Sequence, residues 1–307
     1  MPELPEVQTI VNDLNKKVVG EIIVDFWSEW KKSVRPSFSR FKKEIMAKTS
    51  LQSKDVRPNI SHCKKVECFR GAKIIGARRI GKQIIIDLDN KKTIMIHLKM
   101  SGHLLFKSVE VRQLGKEFEE KVNQYIHHIF TFKSGSTLEF SDLRKFGWLS
   151  VVNTEEVENT KEIQNLGIDA LSPAFTSKKF KEILDKKQKS VIGTLLLDQH
   201  LIAGIGNIYR SEILFLAGVN PKRKTATLSE KEIEKIFKAI KSILKKAVKM
   251  RGTTDSDYRD TEGKSGSFQK VLNVYGREGK DCKKCKGKVI REKLGQRSIF
   301  FCPNCQK

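Results

Sequence analysis

Ile84-Ile85-Ile86-Asp87-Leu88 and Thr93-Ile94-Met95-Ile96, with Asp89-Asn90 between them, read as two short β-rich runs on either side of a turn. Asp and Asn bond their own backbone and so favour a reversal of the chain at that point. The same pattern returns at Ile22-Ile23-Val24, Ile129-Phe130-Thr131-Phe132 and Leu138-Glu139-Phe140, with Ser134-Gly135 as a further turn signal. Residues from about 21 to 152 therefore read as an antiparallel β-sandwich or barrel. The Lys- and Ser-rich stretch from Trp30 to Arg70 lacks this pattern and is read as containing a surface insertion.

Outside this block the period changes. Leu4, Val7, Ile10, Val11, Leu14 and Val18 are spaced by three and four, which predicts an amphipathic helix starting almost at the N-terminus. After the polar segment 153–159 the chain turns helical. Helices are expected after Ser177, over Ser190 to Leu197, from an Asn207 cap through Leu216, and from the Ser229-x-x-Glu232 capping box to near Gly252. Gly252 to Gly266 is dense in Gly, Thr, Asp and Ser and predicts a mobile loop. Beyond it, Cys282-x2-Cys285 and Cys302-x2-Cys305 have the spacing of a tetrahedral four-thiolate zinc site, with the intervening residues able to run out and back as a hairpin. A pair of disulfides is the alternative, but only Cys63 and Cys68 lie outside the cluster and no secretory signal is recognisable.

The 307 residues carry 60 Lys+Arg against 36 Asp+Glu, a formal net charge of +24. Such an excess binds phosphate backbones through counterion release and makes nucleic acid the leading partner, ahead of a merely solvated lysine-rich surface, an anionic membrane or the ribosome. No apolar run is long enough to span a bilayer. The chain is expected inside the cell: cytoplasmic and nucleoid-associated if bacterial, nuclear if eukaryotic.

Pro2 and Glu3 follow the initiator methionine. With Met1 removed, Pro2 exposes a secondary amine of pKa roughly 8, partly neutral near physiological pH and able to form an iminium with an acetal carbon. A neighbouring carboxyl such as Glu3 can shuttle the proton. Pro-Glu is also ordinary helix-start chemistry, with a ring suited to the first turn and a carboxylate at the positive end of the dipole.

Met1-Pro2-Glu3-Leu4-Pro5-Glu6-Val7 resembles the opening of the formamidopyrimidine-DNA glycosylase family. Four further segments fall in that family's order: Arg79-Ile80-Gly81-Lys82; His97-Leu98-Lys99-Met100-Ser101-Gly102; Asp142-Leu143-Arg144-Lys145-Phe146-Gly147; and Leu195-Leu196-Leu197-Asp198-Gln199 leading to Gly204-Ile205-Gly206-Asn207-Ile208-Tyr209. Gln296-Arg297 precedes Cys302, so the resemblance spans nearly the whole chain. It implies an α+β multidomain protein: an N-terminal antiparallel β-sandwich with a leading helix (1–155), an all-α helix-two-turn-helix domain (156–275) and a C-terminal β-hairpin zinc finger (276–307).

The implied activity is base-excision DNA repair: removal of oxidised purines (8-oxoguanine, formamidopyrimidines) from duplex DNA, then nicking of the abasic site by β,δ-elimination through a Pro2 Schiff base. Position by position, Pro2 is similar to the family's nucleophile and Glu3 to its acid/base partner. Lys82 matches the lysine that assists β-elimination, and Arg297 the finger arginine linked to δ-elimination. Met100, Arg144 and Phe146 match the trio that fills the void left by a flipped base. Asn207 and Lys189 match DNA-phosphate ligands, the former at a helix start. One structural zinc on Cys282, Cys285, Cys302 and Cys305 is the only cofactor implied, and the partner is damaged double-stranded DNA, bound by a monomer.

Several positions depart from the bacterial pattern. Tyr125 stands where many members have a DNA-contacting histidine, with His127 and His128 following as candidate substitutes. Leu143 replaces a proline, Lys145 an arginine, and Gly193 a frequent lysine. Two other readings are an endonuclease VIII-like glycosylase for oxidised pyrimidines and a non-catalytic DNA-damage-binding protein. Leu4-Pro5 after Pro2-Glu3 favours the purine branch over the first, and retention of Pro2, Glu3 and Lys82 argues against the second.

Overall fold

The computed structural model describes residues 1–47, 71–110 and 116–307. Cys63, Cys68 and most of the insertion read between Trp30 and Arg70 lie outside the described residues. Contacts divide the chain into two units: Met1–Pro2 with Glu6–Ile163 and Thr254–Gly266, and Glu3–Pro5 with Gln164–Thr253 and Ser267–Lys307.

In the first unit, helix α1 (Leu4–Lys17) is followed by β1 (Ile23–Ser28), β2 (Val34–Arg35), helix α2 (Phe38–Met46), β3 (Ile74–Ile80), β4 (Gln83–Leu88), β5 (Lys92–His97), β6 (His103–Lys107), β7 (Ile126–Phe132), β8 (Thr137–Ser141), β9 (Trp148–Asn153) and the short α3 (Lys161–Gln164). They form a four-stranded sheet in the order β1-β7-β8-β6 and a five-stranded one in the order β2-β9-β5-β4-β3. Every pairing is antiparallel except the two-residue β2–β9 contact. Ile84, Ile86, Ile94 and Ile96 pack in one core with Phe26, Phe130, Phe132, Phe140 and the inner face of α1. Ile85 and Met95 are buried as well, so β4 and β5 are covered on both faces. That is why these runs read as continuous apolar stretches without alternation.

The segment 254–266 is tied down in this unit, contrary to the mobile loop expected from its composition. Tyr258 joins the core, Asp13 Oδ2 accepts from the Thr261 hydroxyl at 2.9 Å, Phe106 N donates to Thr261 O at 2.8 Å, and Lys17 pairs with Glu262 at 3.0 Å. Asp260 Oδ1 accepts from Glu262 N and Lys264 N and closes the turn. The Asp, Ser and Thr content that suggested mobility makes side-chain hydrogen bonds here.

The second unit holds β10 (Ile168–Asp169), α4 (Ser177–Lys186), α5 (Ile192–Leu195), β11 (Ile202–Ala203), α6 (Asn207–Ala217), α7 (Glu230–Lys249), β12 (Ile290–Leu294) and β13 (Arg297–Phe301). The capping box at Ser229 and Glu232 forms as read, and α7 buries Ile233, Ile236, Ile240, Ile243 and Leu244, while Lys241 packs over Phe175 and donates to Ser172 O. Helix α6 is buried almost all round, including Arg210 and Glu212. Its cap is Gly206; Asn207 is the first helical residue, and its side-chain oxygen accepts from Arg210. β12 and β13 form the expected hairpin, in register from Ile290↔Phe301 to Leu294↔Arg297. The C-terminus is strapped onto the end of α6 by Lys307 N to Gly218 O (3.1 Å) and Gln306 Nε2 to Val219 O (2.9 Å). The finger therefore groups with the helices, not apart from them.

Candidate active site

Glu3 is 2 % exposed, and its carboxylate sits on the first turn of α6, accepting from Ile208 N at 3.0 Å and Tyr209 N at 3.4 Å. These amides have no partner within the helix, and the positive end of the dipole favours the ionised carboxylate. Gly206 makes room for it: a Cβ there would lie 2.2 Å from Glu3 Cδ. Gln199 holds the turn from behind, donating to Leu197 O and Ile205 O and accepting from Gly204 N at 3.0 Å. Leu4 N donates to Gly204 O at 3.1 Å. Motifs some two hundred residues apart in sequence thus meet at one carboxylate. Pro2, next to it in the chain, is buried and follows a half-exposed Met1.

Lys82 is largely buried in the two-residue turn joining β3 to β4. Arg79 braces that turn, donating to Gly81 O at 2.7 Å and Gln8 Oε1 at 2.9 Å. His97 lies beside it; burial above all, then Lys99 and Lys82, push its pKa down to about 3. The ring is neutral at physiological pH, and its Nδ1 accepts from Lys99 N at 2.9 Å. The electrostatic character here is cationic, suited to a phosphate.

Met100, Arg144 and Phe146 come together on the surface of the first unit. Arg144 reaches Met100 Sδ at 3.0 Å and stacks over the Phe146 ring at 4.8 Å, with Met100 40 % and Phe146 51 % exposed. Exposed apolar side chains held in one cluster are not core packing. They rest on Asp142, fully buried: Oδ1 accepts from Ser101 Oγ (2.6 Å) and Arg144 N (3.2 Å), Oδ2 from Phe146 N (2.9 Å) and Gly147 N (2.8 Å). One carboxylate joins the Met100 loop to the Arg144–Phe146 loop. In the sequence Asp142 is visible only as a motif member two residues before a surface Arg, which does not reveal its role as the hub.

His127 corrects the expectation of a DNA ligand. It is 3 % exposed, with Nδ1 on Glu29 Oε1 at 2.5 Å and Nε2 on Asp142 O at 2.9 Å, so both ring nitrogens are engaged inside the protein. His128 is also buried, between the Ser28 and Ser33 hydroxyls, and burial pushes its pKa down to about 3. Neither substitutes for the missing surface histidine. Tyr125 is half-buried, and its carbonyl accepts from Asp142 N at 2.9 Å. Lys145, which replaces an arginine, lies 3.4 Å from Glu29. The hydrogen bond from His127 and then Lys145 hold the Glu29 carboxyl below its ordinary range, so part of the lysine's charge is already answered.

In the second unit, Asn207 opens α6, Lys189 is exposed after α4, and Arg297 is exposed at the start of β13. Two buried charges on α6 were missed from sequence, where both resemble interior helix positions. Arg210 donates to Gly193 O, Asn207 Oδ1 and Ser298 O. Burial lowers its pKa to about 10, which leaves it charged at neutral pH. Glu212 accepts from Asn273 N, Val274 N and Tyr275 N at 2.9 to 3.0 Å and so clamps the segment entering the finger.

The sulfurs of Cys282, Cys285, Cys302 and Cys305 all lie within 4.8 Å of one another, with Cys282 Sγ 3.8 Å from Cys305 Sγ and Cys285 Sγ 3.5 Å from Cys302 Sγ. A tetrahedron of Zn–S bonds of about 2.3 Å has edges of about 3.8 Å, so the donor set fits zinc, and the distances exclude disulfides. Burial and the neighbouring thiols push Cys305 up to about 12, a cost that a divalent cation removes. With four thiolate ligands no position is left open to water, and the ion is structural.

Residues 1–149 match the formamidopyrimidine-DNA glycosylase N-terminal domain, residues 166–259 the formamidopyrimidine-DNA glycosylase H2TH domain, and residues 279–307 the zinc finger found in FPG and IleRS. Formamidopyrimidine-DNA glycosylase of Listeria innocua is 38 % identical, and that of Pelotomaculum thermopropionicum 35 % identical, each over 100 % of this chain and at least 99 % of its own length. The Lactococcus lactis Fpg in complex with abasic-site DNA superposes with a TM-score of 0.80 at 29 % identity over 99 % of both chains. MutM in complex with DNA containing carbocyclic 8-oxo-G gives the same score and identity over the full length of both. The chain belongs to the formamidopyrimidine-DNA glycosylase family.

Proposed function

We propose that this chain excises oxidised purines from duplex DNA in base-excision repair and then nicks the abasic site, with Pro2 as nucleophile. The observation that carries the reading is the fixed carboxylate of Glu3 on the N-terminus of α6, one residue from the Pro2 nitrogen. With Met1 removed, the neutral amine attacks C1′ as the bond to the base breaks and the base leaves with a proton. The sugar ring opens at O4′, Glu3 shuttling the proton, and the amine becomes an iminium. Loss of a C2′ proton then expels the 3′ phosphate, assisted by Lys82; Arg297 assists the second elimination at the 5′ phosphate. Met100, Arg144 and Phe146 fill the hole left by the flipped nucleotide, and Asn207 and Lys189 hold phosphate. Zinc takes no part in these steps. No described helix is long and apolar enough to cross a membrane, and a chain acting on chromosomal DNA works at the nucleoid.

Duplexes carrying 8-oxoguanine opposite cytosine, an oxidised pyrimidine or an abasic site, analysed for released base and for strand ends, test this. The reading predicts release of 8-oxoguanine, fastest of the two bases, and phosphate at both ends of the gap. Binding without release of either base would overturn it; faster release of the pyrimidine would move the substrate while keeping the chemistry.

A further inference from the structure

Arg210 is a fully buried guanidinium, and no carboxylate among the described residues bonds to it. Nη2 donates to Asn207 Oδ1 at 2.5 Å and to Ser298 O at 3.0 Å, while Nη1 donates to Gly193 O at 3.1 Å. Among the described residues its Nε–H has no acceptor. Leaving one donor of a buried cation unmatched is costly, and an apolar residue on α6 would fill the same volume without that cost. Stability therefore does not account for the residue.

The three acceptors do. A guanidinium only donates, so the Asn207 amide must present its oxygen to Arg210, and its Nδ2 then points away with both hydrogens. Among the described residues nothing accepts from that nitrogen, which stands at the start of α6, where the Ile208 and Tyr209 amides are already taken by Glu3. Ser298 O belongs to the residue after Arg297, so the same guanidinium fixes the beginning of β13. Gly193 O is the third anchor, and close packing excludes a side chain there: a Cβ would meet Pro221 O at 2.7 Å and Leu294 Cδ2 at 2.8 Å.

We infer that Arg210 is a positioning residue that presents the Asn207 amide and the Arg297 guanidinium together to DNA phosphate, one hidden fork setting two surface donors on separate elements. This rests on the reading of Asn207 and Arg297 given above. It predicts that the second elimination and DNA affinity are coupled through a side chain that touches no DNA.

The test uses full-length, zinc-loaded Arg210→Met and Arg210→Lys proteins on an abasic duplex, reading the ratio of β- to δ-elimination ends, and the affinity for a non-cleavable abasic analogue. In Arg210→Met the δ step should fall about tenfold relative to the β step, as a misplaced group does. Affinity should fall about tenfold, the low end of what one hydrogen bond to a charged group is worth, and Arg210→Lys should recover part of both. Arg210→Met should weaken binding less in an Asn207→Ala background than in the parent, because only the Arg297 share is then left to lose. An unchanged end ratio and unchanged affinity in folded Arg210→Met would overturn the inference. So would unfolding of both Arg210 variants, which would make Arg210 a brace of the fold. Arg297→Ala is the control: if it leaves the δ product intact, the assignment of Arg297 fails, and Arg210 is judged by the affinity of the single and double variants.

Discussion

Gly206→Ala isolates the placement of the Glu3 carboxylate. Gly206 has φ −130° and ψ −163°, an extended conformation open to any residue, so the substitution adds no backbone strain. It loses about 1 kcal/mol as a helix cap, too little to unfold a domain. The new Cβ, however, would lie 2.2 Å from Glu3 Cδ and 2.4 Å from Oε1, where ordinary contact begins at 3.4 Å. The carboxylate must therefore retreat by 1.2 Å, the difference between 3.4 and 2.2 Å, and give up its bond to Ile208 N. A displacement of about 1 Å in a catalytic group costs on the order of 10²-fold in rate. Single-turnover release of 8-oxoguanine should fall by that factor, while thermal stability and zinc content stay near those of the parent. A release rate within about threefold of the parent in folded protein would refute the argument that this glycine exists to seat Glu3.

Three further outcomes follow from other parts of the structure. Asp142→Asn leaves one oxygen where four donors converge, so one or two backbone N–H groups lose their acceptor at about 1–3 kcal/mol each; denaturant titration should show a loss of about 3 kcal/mol, and a change under 0.5 kcal/mol would contradict the hub. His97 and His128 have folded pKa values of about 3 against an unfolded 6.5, so the folded state binds fewer protons; their contribution is complete above about pH 6.5 and lost as pH falls toward 3. Between pH 7.5 and 5 that is on the order of 2 kcal/mol for each ring, and denaturation at the two pH values with His128→Gln alongside should show the loss and its partial relief; stability that rises on acidification would be the wrong sign. Chelating zinc should unfold the hairpin that carries Arg297 and weaken duplex binding, because thiolate coordination is most of what folds so short a segment; unchanged binding in protein shown to be metal-free would contradict it.

The elements that sequence made legible are those with a strong local period or a strong local chemistry. The apolar runs of β4 and β5, the capping box of α7 and the paired Cys-x-x-Cys motifs each announce themselves within a few residues. Strands β3, β6 and β9 did not, since Arg78-Arg79, His103 and Trp148-Leu149-Ser150 break the alternation and are decided by their partners across the sheet. The loop 254–266 misled because Asp and Thr serve mobile turns and fixed ones equally; only the positions of Asp13 and Lys17 decide which. At the site, the motifs singled out Glu3 and Asn207 as candidates, with the α6 cap falling one residue earlier, at Gly206, whereas Arg210 and Asp142 act from within the protein on residues distant in sequence. His127 erred in the same way: a surface role was inferred from position, and Glu29, some hundred residues earlier, turns the ring inward.

Whether the N-terminal amine does the chemistry is decided by borohydride trapping. Protein with a native N-terminus is incubated with a duplex carrying 8-oxoguanine opposite cytosine, reduced, digested and mapped by mass. A single covalent adduct on Pro2 is expected, absent when the N-terminus is blocked. An adduct on a lysine such as Lys82 with Pro2 unmodified, or strand cleavage that persists with the amine blocked, would contradict it.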